Sequence, residues 1–402
     1  MSASQQRGLR IAHVQPMTLD LYGHDDAGYG TSVRYSVSNL AAAQARLGHH
    51  PEVHLLTSGR PRELRVAGVT AHFHRCVQPP RRASLHARFA RQFSVAMLRA
   101  IRRESADVVH FHGVRQLHLM YAAVASRAAQ QGIPLVGQDR GNRDVGRIET
   151  AAQRFGLRRT KDVLAASAES VDVLAGLGVP RTAIHVVPNA VDPDVFRPGA
   201  ARERAAGDPF RILVVSRLWP DKDPLTMADG VCELVRRGQP VSLTVISRGP
   251  LRDEVEARLR AGGVPVEFIE HVPQQQLVEY YRSADALVLT SLREGWNQVI
   301  LEAMASGLPV VLTAVPGPRD AAGNAGFLVP VRSPDAVANA LERLASDRAL
   351  WLRHRALGLE RARAFTWDAV ARQLDDIYRE VLRDAPARAH VGQLAESFGG
   401  VR

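Results

Sequence analysis

Short apolar runs alternate with amphipathic stretches from one end of the chain to the other. In the first half the runs are LRIAHVQP, PEVHLLT, ADVVHFHG, IPLVGQD, DVLAAS and IHVVPN, and in the second half they are FRILVVSR, VSLTVISR, VEFIEHV, DALVLTS, LPVVLTA and GFLVPV. Continuous apolar strands separated by helices of roughly 10 to 20 residues predict parallel sheets that are covered on both faces. The pattern therefore predicts an α/β protein with a βα repeat in each half.

A stretch of proline, glycine, alanine and mixed charge, residues 197–209, separates the two halves. A chain of 402 residues is also too long for one ordinary core. We therefore predict two doubly wound, Rossmann-like domains that face each other across a cleft. The predicted boundaries are 1–197 for the first domain, 198–209 for a linker, 210–364 for the second domain, 365–383 for a terminal helix that packs back on the first domain, and 384–402 for a tail.

The net charge of +11 is compatible with nucleic acid, an anionic membrane or an acidic small molecule as the partner. Lys161 and Lys222 are the only lysines among 52 basic residues, which makes each of them informative. Ligands of doubly wound sheets bind beyond the carboxyl ends of the strands. Arg217 and Lys222 follow one such strand, ILVVSR, where they would neutralise a diphosphate. Lys161 has no such setting and is predicted to lie on the surface.

Two glutamates eight residues apart, Glu294 and Glu302, follow the strand DALVLTS. Glu294 is predicted to lie in a glycine-containing turn, and Glu302 about two turns into a helix that begins near Asn297. A helix N-terminus aimed at the cleft suits phosphate, whereas carboxylates suit the hydroxyl groups of sugars and ribose. Taken alone, this pattern would indicate only that Glu294 is an acid favoured at the start of a helix and that Glu302 is a solvent-exposed helix residue. The nearby cations Arg217 and Lys222 favour a ligand site instead.

In the first half, Gly28 and Gly30 stand between a strand and an amphipathic helix, where glycine lets a ligand approach the backbone. The same pattern is typical of an ordinary loop. His110 and His112 lie on one face of a predicted strand, with His112 nearer the cleft. A metal site is rejected because no third ligand accompanies the pair, so we predict a hydrogen-bonding His112 and a structural His110. The D-x-D strings at residues 192–194 and 221–223 lie in proline-containing turns and are rejected as metal sites too.

Taken in order, these segments resemble the retaining GT-B glycosyltransferases of the family 4 type, also called glycosyltransferase group 1. The resemblance covers nearly the whole chain. Its motifs are the glycine loop with LAAAQARLGHH, VVHFHG, VPRTAIHVVPNAVDPDVFRP, VVSRLWPDKDP, ISRGPLR, FIEHVPQQQLVEYYRSADALVLTSLREGWNQVILEAMASGLPVV and the terminal FTWDAVARQLDDIYREVL.

The resemblance implies how a nucleoside diphosphate sugar would be bound. Glu294 would bind hydroxyl groups of the donor sugar, and Glu302 would bind the ribose. Arg217 and Lys222 would hold the diphosphate. The other implied donor contacts are the backbone of Gly295, Trp296 and Asn297, the nucleobase neighbours Gly249, His271 and Val272, and Gly28 and Gly30 closing from the first domain. His112 would lie beside the transferred sugar, so that the implied catalytic residues are His112, Arg217, Lys222 and Glu294.

The resemblance further implies a reaction that needs no metal or other cofactor and retains the anomeric configuration. In the implied front-face route, the departing phosphate helps to deprotonate the acceptor. Asn297 stands where the family usually has a small residue, and Asp320 stands where it often has glutamate. Both departures are expected to alter which sugar is accepted, and neither changes the class.

The acceptor is expected to be a small molecule or lipid-linked. Residues 79–105 interleave arginines with apolar residues, which is typical either of peripheral contact with an anionic membrane or of an ordinary helix with snorkelling arginines. The chain start lacks the features of a signal peptide and no apolar run is long enough to span a bilayer. We expect a cytoplasmic location. Peripheral contact with the inner face of the membrane is compatible with that expectation. The sequence indicates no oligomeric state.

Two other functions compete with glycosyl transfer. A GT-B-fold enzyme that epimerises or hydrolyses a nucleotide sugar without an acceptor is the alternative within enzymes. Nucleic-acid binding is disfavoured, because aromatic residues make up only 5% of the chain and no basic stripe alternates with stacking aromatics.

Overall fold

Two mainly parallel sheets occupy the two halves of the chain, which confirms the α/β prediction. The structure is a computed structural model that describes residues 7–18, 36–77, 92–102, 105–115, 118–139, 147–205 and 207–384. The first sheet ends at Val186 and the second begins at Phe210, so the predicted linker lies between the sheets. All twelve apolar runs of the sequence contain strands.

The first sheet has the strand order β3-β4-β2-β1-β5-β6-β7-β8. Its strands are β1 (Arg10–Thr18), β2 (His50–Thr57), β3 (Arg62–Val66), β4 (Val69–Arg75), β5 (Val108–His112), β6 (Leu135–Gln138), β7 (Asp162–Ala165) and β8 (Ile184–Val186). The helices of this half are α1 (Ser36–Arg46), α2 (Val95–Ala100), α3 (His118–Gln130), α4 (Arg147–Leu157) and α5 (Ala168–Gly176). Strand order reverses at β1, which pairs in parallel with β2 on one side and β5 on the other.

The second sheet has the order β11-β10-β9-β12-β13-β14, and its pairs are parallel. Its strands are β9 (Phe210–Val215), β10 (Val241–Ile246), β11 (Val266–Ile269), β12 (Ala286–Leu289), β13 (Val310–Thr313) and β14 (Phe327–Val329). The helices are α6 (Pro224–Arg236), α7 (Arg252–Ala261), α8 (Gln274–Ser283), α9 (Gln298–Ala305), α10 (Pro316–Ala322), α11 (Pro334–Ser346) and α12 (Arg348–Arg363). Here the order reverses at β9, so the carboxyl ends of β9 and β12 flank the switch point where ligands of this architecture bind.

The last helix, α13 (Trp367–Arg383), follows the second sheet in the chain but packs against the first half. Its apolar face buries Leu374 and Tyr378 against residues of β1, β5 and α1. The side chain of Thr366 caps the helix by accepting from the backbone N–H of Ala369. Burial of this amphipathic stripe, rather than helix propensity, is what fixes the helix in place.

The sequence analysis missed the hairpin of β3 and β4. Strand β3 reads RELRV, alternates between exposed and half-buried positions, and pairs antiparallel with β4 at the edge of the first sheet. The turn between them places Ala67 and Gly68 at positive φ, 50° and 81°, as a two-residue hairpin turn requires. An edge strand with one solvated face alternates polar and apolar residues, so β3 contains no continuous apolar run by which it could be recognised.

Candidate functional site

A cavity of about 410 Å³ opens at the carboxyl edge of the second sheet. Its wall carries Asn189, Val215, Ser216, Arg217, Lys222, Ile246, Ser247, Arg248, Glu270, Glu294, Trp296, Asn297, Gln298 and Val299. The cavity thus lies beyond the ends of β9 and β10 and beside the loop that follows β12. Five residues that the sequence analysis selected come together there: Arg217, Lys222, Glu294, Trp296 and Asn297.

Lys222 and Glu294 form an ion pair in the wall of this cavity. Lys222 ends the 3₁₀ turn Pro220–Lys222 after β9, and its side chain is only 10% exposed. Its Nζ lies 2.5 Å from Oε2 of Glu294 and 3.7 Å from Oδ2 of Asp221. Neighbouring carboxylates offset the cost of keeping a cation in a mostly buried wall. Lys161, by contrast, is exposed, as predicted.

Arg217 is the second cation of the wall and is held more loosely. Its side chain is 60% exposed, and its Nη2 lies 3.9 Å from Oδ2 of Asp221. The guanidinium carbon lies 5.7 Å from the ring centre of Trp219. An exposed arginine with one long ion-pair contact can turn toward an anion at little cost.

The carboxylate of Glu294 is oriented by donors on three sides. Lys222 Nζ, Ser291 Oγ and Asn297 Nδ2 all lie within hydrogen-bond distance of its Oε2, the latter two at 3.3 Å. Charge-assisted hydrogen bonds of this kind hold a side chain in one geometry. The loop therefore presents a preoriented acid at the cavity.

Helix α9 begins at the cavity wall, as the sequence analysis predicted. Asn297 is its N-cap, and its Oδ1 accepts from the backbone N–H of Val299 at 3.0 Å. The first helical residues, Gln298 and Val299, line the cavity, so the positive end of the helix faces it. The start of α10 packs directly against the loop that precedes α9, because a Cβ at Gly317 would overlap the backbone oxygen of Gly295.

Glu302 lies in α9 but not in the cavity wall. Its side chain is buried, with Oε2 accepting from the Tyr281 hydroxyl at 2.9 Å and Oε1 accepting from Gln274 at 3.4 Å. Burial raises the pKa of the Glu302 carboxyl to about 7, against the opposing effect of these two hydrogen bonds. Its implied contact with ribose stays a prediction.

The residues implied for the nucleobase also lie outside the wall, next to residues that form it. Gly249 and His271 follow Arg248 and Glu270, which do line the cavity. A Cβ at Gly249 would overlap the backbone oxygen of Leu218, so this glycine is needed for the close packing of two loops. Val272 and Gly295 are likewise half-buried beside the wall residues rather than among them.

Three of the predicted site residues, Gly28, Gly30 and His112, belong to the first half of the chain. Gly28 and Gly30 lie outside the described residues. His112 is buried at the carboxyl end of β5, where its Nδ1 is 2.6 Å from Oε1 of Gln138. The rejection of a metal site rested on the absence of a third ligand, and that reason is wrong: β1 places His13 beside His110 and His112.

The sequence analysis also missed residues of the cavity wall. Asn189 comes from the segment after β8, and its Nδ2 donates to the backbone oxygen of Trp296 at 3.4 Å, which joins the two halves at the site. Ser216 is the first residue after β9, and Arg248 is the second residue after β10. Their position after a strand was the signal that could have identified them. Among the described residues, no helix has the length and apolar composition needed to cross a bilayer.

Two family models match the chain, one in each half. The model described as "Glycosyltransferase Family 4" matches residues 33–195, and the model described as "Glycosyl transferases group 1" matches residues 209–347. The first match contains His110 and His112 of β5. The second match contains Arg217, Lys222 and Glu294 of the cavity wall.

Curated relatives are similar in sequence to part of the chain. A D-inositol 3-phosphate glycosyltransferase of Corynebacterium jeikeium is 34% identical over 244 residues, which are 56% of this chain and 57% of the relative. The enzyme of the same name from Frankia alni is 36% identical over 50% of this chain and 54% of the relative. The chain thus aligns with little more than half the length of these relatives.

Solved structures share the fold over almost the whole chain. The sucrose-phosphate synthase of Thermosynechococcus elongatus matches with a TM-score of 0.72 and 19% identity, covering 93% of this chain and 99% of that one. HepE of Anabaena, solved with UDP and glucose, matches with a TM-score of 0.67 and 15% identity over 92% of this chain and 100% of that one. These likenesses establish the two-domain GT-B fold that the sequence predicted.

Proposed function

We infer, from the membership of this chain in the group 1 and family 4 glycosyltransferases, that it transfers a sugar from a nucleoside diphosphate donor to an acceptor. One observation carries the proposal. The cavity at the switch point of the second sheet combines two cations, a preoriented carboxylate and a helix N-terminus. This set matches a ligand with an anionic centre and hydroxyl groups beside it.

In the proposed complex, the diphosphate lies against Lys222 and Arg217 and the first amides of α9. Lys222 then exchanges part of its contact with Glu294 for the phosphate oxygens. Glu294 is left to accept hydrogen bonds from the hydroxyl groups of the donor sugar. The ion pair therefore keeps both groups in place before the donor arrives, which lowers the cost of organising the site.

We propose that transfer is metal-independent and retains the anomeric configuration. The bond between the anomeric carbon and the β-phosphate oxygen breaks, and the acceptor oxygen forms its bond on the same face of the sugar. The acceptor proton passes to the departing phosphate. Lys222, Arg217 and the helix N-terminus stabilise the charge that develops on the diphosphate, which is the contribution that most lowers such a barrier. This route needs no nucleophilic carboxylate, in keeping with the engagement of Glu294 by Lys222.

The acceptor is proposed to be a small or lipid-linked molecule held by the first half of the chain, in a cytoplasmic setting. The relatives act, by their names, on inositol phosphate or make sucrose phosphate. Membrane contact through residues 79–105 stays a prediction, since residues 78–91, 103 and 104 lie outside the described part of the chain.

A thermal-shift screen tests the proposal directly. UDP-, GDP-, ADP- and dTDP-linked sugars are each added to the full chain, and at least one is expected to raise Tm by mass action. The Lys222→Ala variant should lose most of that shift, whereas Lys161→Ala, which changes the other lysine of the chain, should retain it. No shift with any donor would contradict the proposal. Release of free sugar from the donor at full rate without an acceptor would instead support the hydrolase alternative.

A further inference from the structure

Gln15, near the end of β1, carries a buried amide without a hydrogen-bond partner. The residue is only 7% exposed. Its Oε1 is shut off from solvent, and no described residue donates a hydrogen bond to it. Exchanging the oxygen and nitrogen of the amide would still leave one polar atom in the buried position. Because a buried amide atom without a partner destabilises a folded chain, its presence here requires an explanation.

Gln15 lies where a doubly wound sheet binds its ligand. The strand order of the first sheet reverses at β1, and ligands bind beyond the carboxyl end of such a strand. Gln15 pairs with Leu55 of β2, and the register of the two strands then shifts before Thr18. An irregularity of this kind is common beside binding sites, where it directs a side chain. Gln15 therefore occupies the place in the first sheet that the donor cavity occupies in the second.

His112 is the neighbour of Gln15 on the adjacent strand. His13 of β1 pairs with His110 of β5, and Gln15 and His112 each follow two residues later. Their side chains therefore project from the same face at the same edge of the sheet. Adjacent strands are about 4.8 Å apart, so one small ligand can contact both residues. The implied contact of His112 with the transferred sugar would place that sugar next to the ligand of Gln15.

The chemistry of this edge suits a hydroxyl group rather than a phosphate. Arg115 follows β5, but its side chain is only 6% exposed. It donates to both carboxylate oxygens of Asp139, from Nε at 2.8 Å and from Nη2 at 2.5 Å. A guanidinium engaged in this bidentate way is not open to an anion. The amide of Gln15, in contrast, offers an acceptor and two donors without charge.

We propose, on the basis of the proposed function, that Gln15 binds the acceptor and that the acceptor is a small polyhydroxylated molecule such as a sugar or a cyclitol. Gln15 is not part of the wall of the donor cavity, so its ligand is the substrate held by the first half. Its Oε1 accepts from one hydroxyl group, and its Nε2 donates to the oxygen of a neighbouring one. The amide takes no proton in the transfer step and serves to position the acceptor. A compound without these hydroxyl groups leaves the amide unpaired and is rejected for that reason.

The stability of the free protein separates an unpaired amide from a structural one. Gln15→Met replaces the amide with an apolar group of similar length, so Tm of the full chain without ligands should rise by about 2–4 °C. Gln44 is the matched control, because its buried Oε1 lies 2.6 Å from Nε2 of His13 and its Nε2 donates to the hydroxyl of Tyr378 at 3.4 Å. Gln44→Met should therefore lower Tm. A lower Tm in Gln15→Met would show that the folded chain itself uses this amide, and would overturn the proposal.

Acceptor kinetics test the ligand. The donor that thermal shift identifies is labelled in its sugar and mixed with glucose, glucose 6-phosphate, myo-inositol or D-inositol 3-phosphate. The wild type should transfer the label to at least one of these polyols. Gln15→Met should raise KM for that acceptor at least about tenfold and leave the Tm shift caused by the donor unchanged. Gln130→Met, at the exposed end of α3, should match the wild type in both measurements.

Deoxy analogues of that acceptor show whether Gln15 recognises a hydroxyl group. The wild type should prefer the complete polyol over the analogue that lacks the bound hydroxyl by at least about tenfold in kcat/KM, and Gln15→Met should lose most of this preference. Transfer to none of the polyols despite a donor-induced Tm shift, or an unchanged acceptor KM in Gln15→Met, would overturn the inference and leave the proposed donor site intact. Absence of any donor-induced Tm shift would count against the proposed function itself, and against the inference with it.

Discussion

At the residue scale, the ion pair of Lys222 and Glu294 is the part of the cavity on which the proposed reaction depends most. We expect Lys222→Ala and Glu294→Ala each to lower kcat/KM by at least about 100-fold, because each removes a group that contacts the donor as charge develops. Lys161→Ala, at an exposed position, should stay within about twofold of the wild type. The measurement is steady-state kinetics with the donor identified by thermal shift. Near-normal kcat/KM in both cavity variants would remove these residues from the mechanism.

Glu302 gives a pH-dependent prediction at the same scale. Burial raises its pKa to about 7, whereas a glutamate carboxyl in the unfolded chain has a pKa of about 4.3. Between these values the folded state holds a proton that the unfolded state has lost. Stability therefore falls as pH rises through this window, and the loss is complete above it. The cost at pH 8 is up to about 4 kcal/mol.

The Glu302→Gln variant removes this titration while keeping an acceptor for Tyr281. It should be more stable than the wild type at pH 8 and equal to it at pH 4.5, as measured by Tm or by urea unfolding. Glu267→Gln, at an exposed position of β11, should show no such pH-dependent difference. A difference between Glu302→Gln and wild type that is the same at both pH values would show that the raised pKa does not govern stability here.

At the element scale, Asn297 has two separable tasks. Its Oδ1 caps α9 and its Nδ2 donates to Glu294. Asn297→Ser keeps a good cap but loses the donor to Glu294, so we expect Tm close to the wild type and a lower kcat/KM. Asn297→Ala loses both, and about 1 kcal/mol of stability with the cap. Tm and kcat/KM measured on the same preparations test this. Equal kcat/KM in wild type and Asn297→Ser would contradict a positioning role toward Glu294.

The elements also show what sequence alone can predict. Strands with continuous apolar sequence were found because burial on both faces leaves that pattern, and Arg217, Lys222 and Glu294 were found because they follow such strands. The edge strand β3 was missed because solvent on one side changes the pattern. Asn189 and His13 were missed for another reason: each acts with a residue far away in the chain, Trp296 and His112 respectively, and such contacts exist only after the sheets have formed.

At the scale of the whole molecule, α13 connects the two halves. It follows the second sheet in the chain, yet its buried face completes the core beneath β1 and β5. Leu374 is fully buried there. Leu374→Ala should therefore cost about 2–5 kcal/mol, the usual range for a cavity left by a lost leucine. Arg372→Ala, two residues earlier on the exposed face of the helix, should cost less than about 0.5 kcal/mol.

Where Leu374→Ala destabilises the protein is more informative than by how much. Because α13 packs on the first sheet, Leu374→Ala should speed hydrogen exchange of backbone amides in β1 and β5 much more than in β9 and β12. The donor cavity is built from the second sheet and α9, so the Tm shift caused by donor should persist in this variant. Faster exchange first in β9 and β12, or loss of donor binding at a temperature where the second sheet stays protected, would contradict this division. Such a result would mean that the donor site depends on the packing of α13 as directly as the first sheet does.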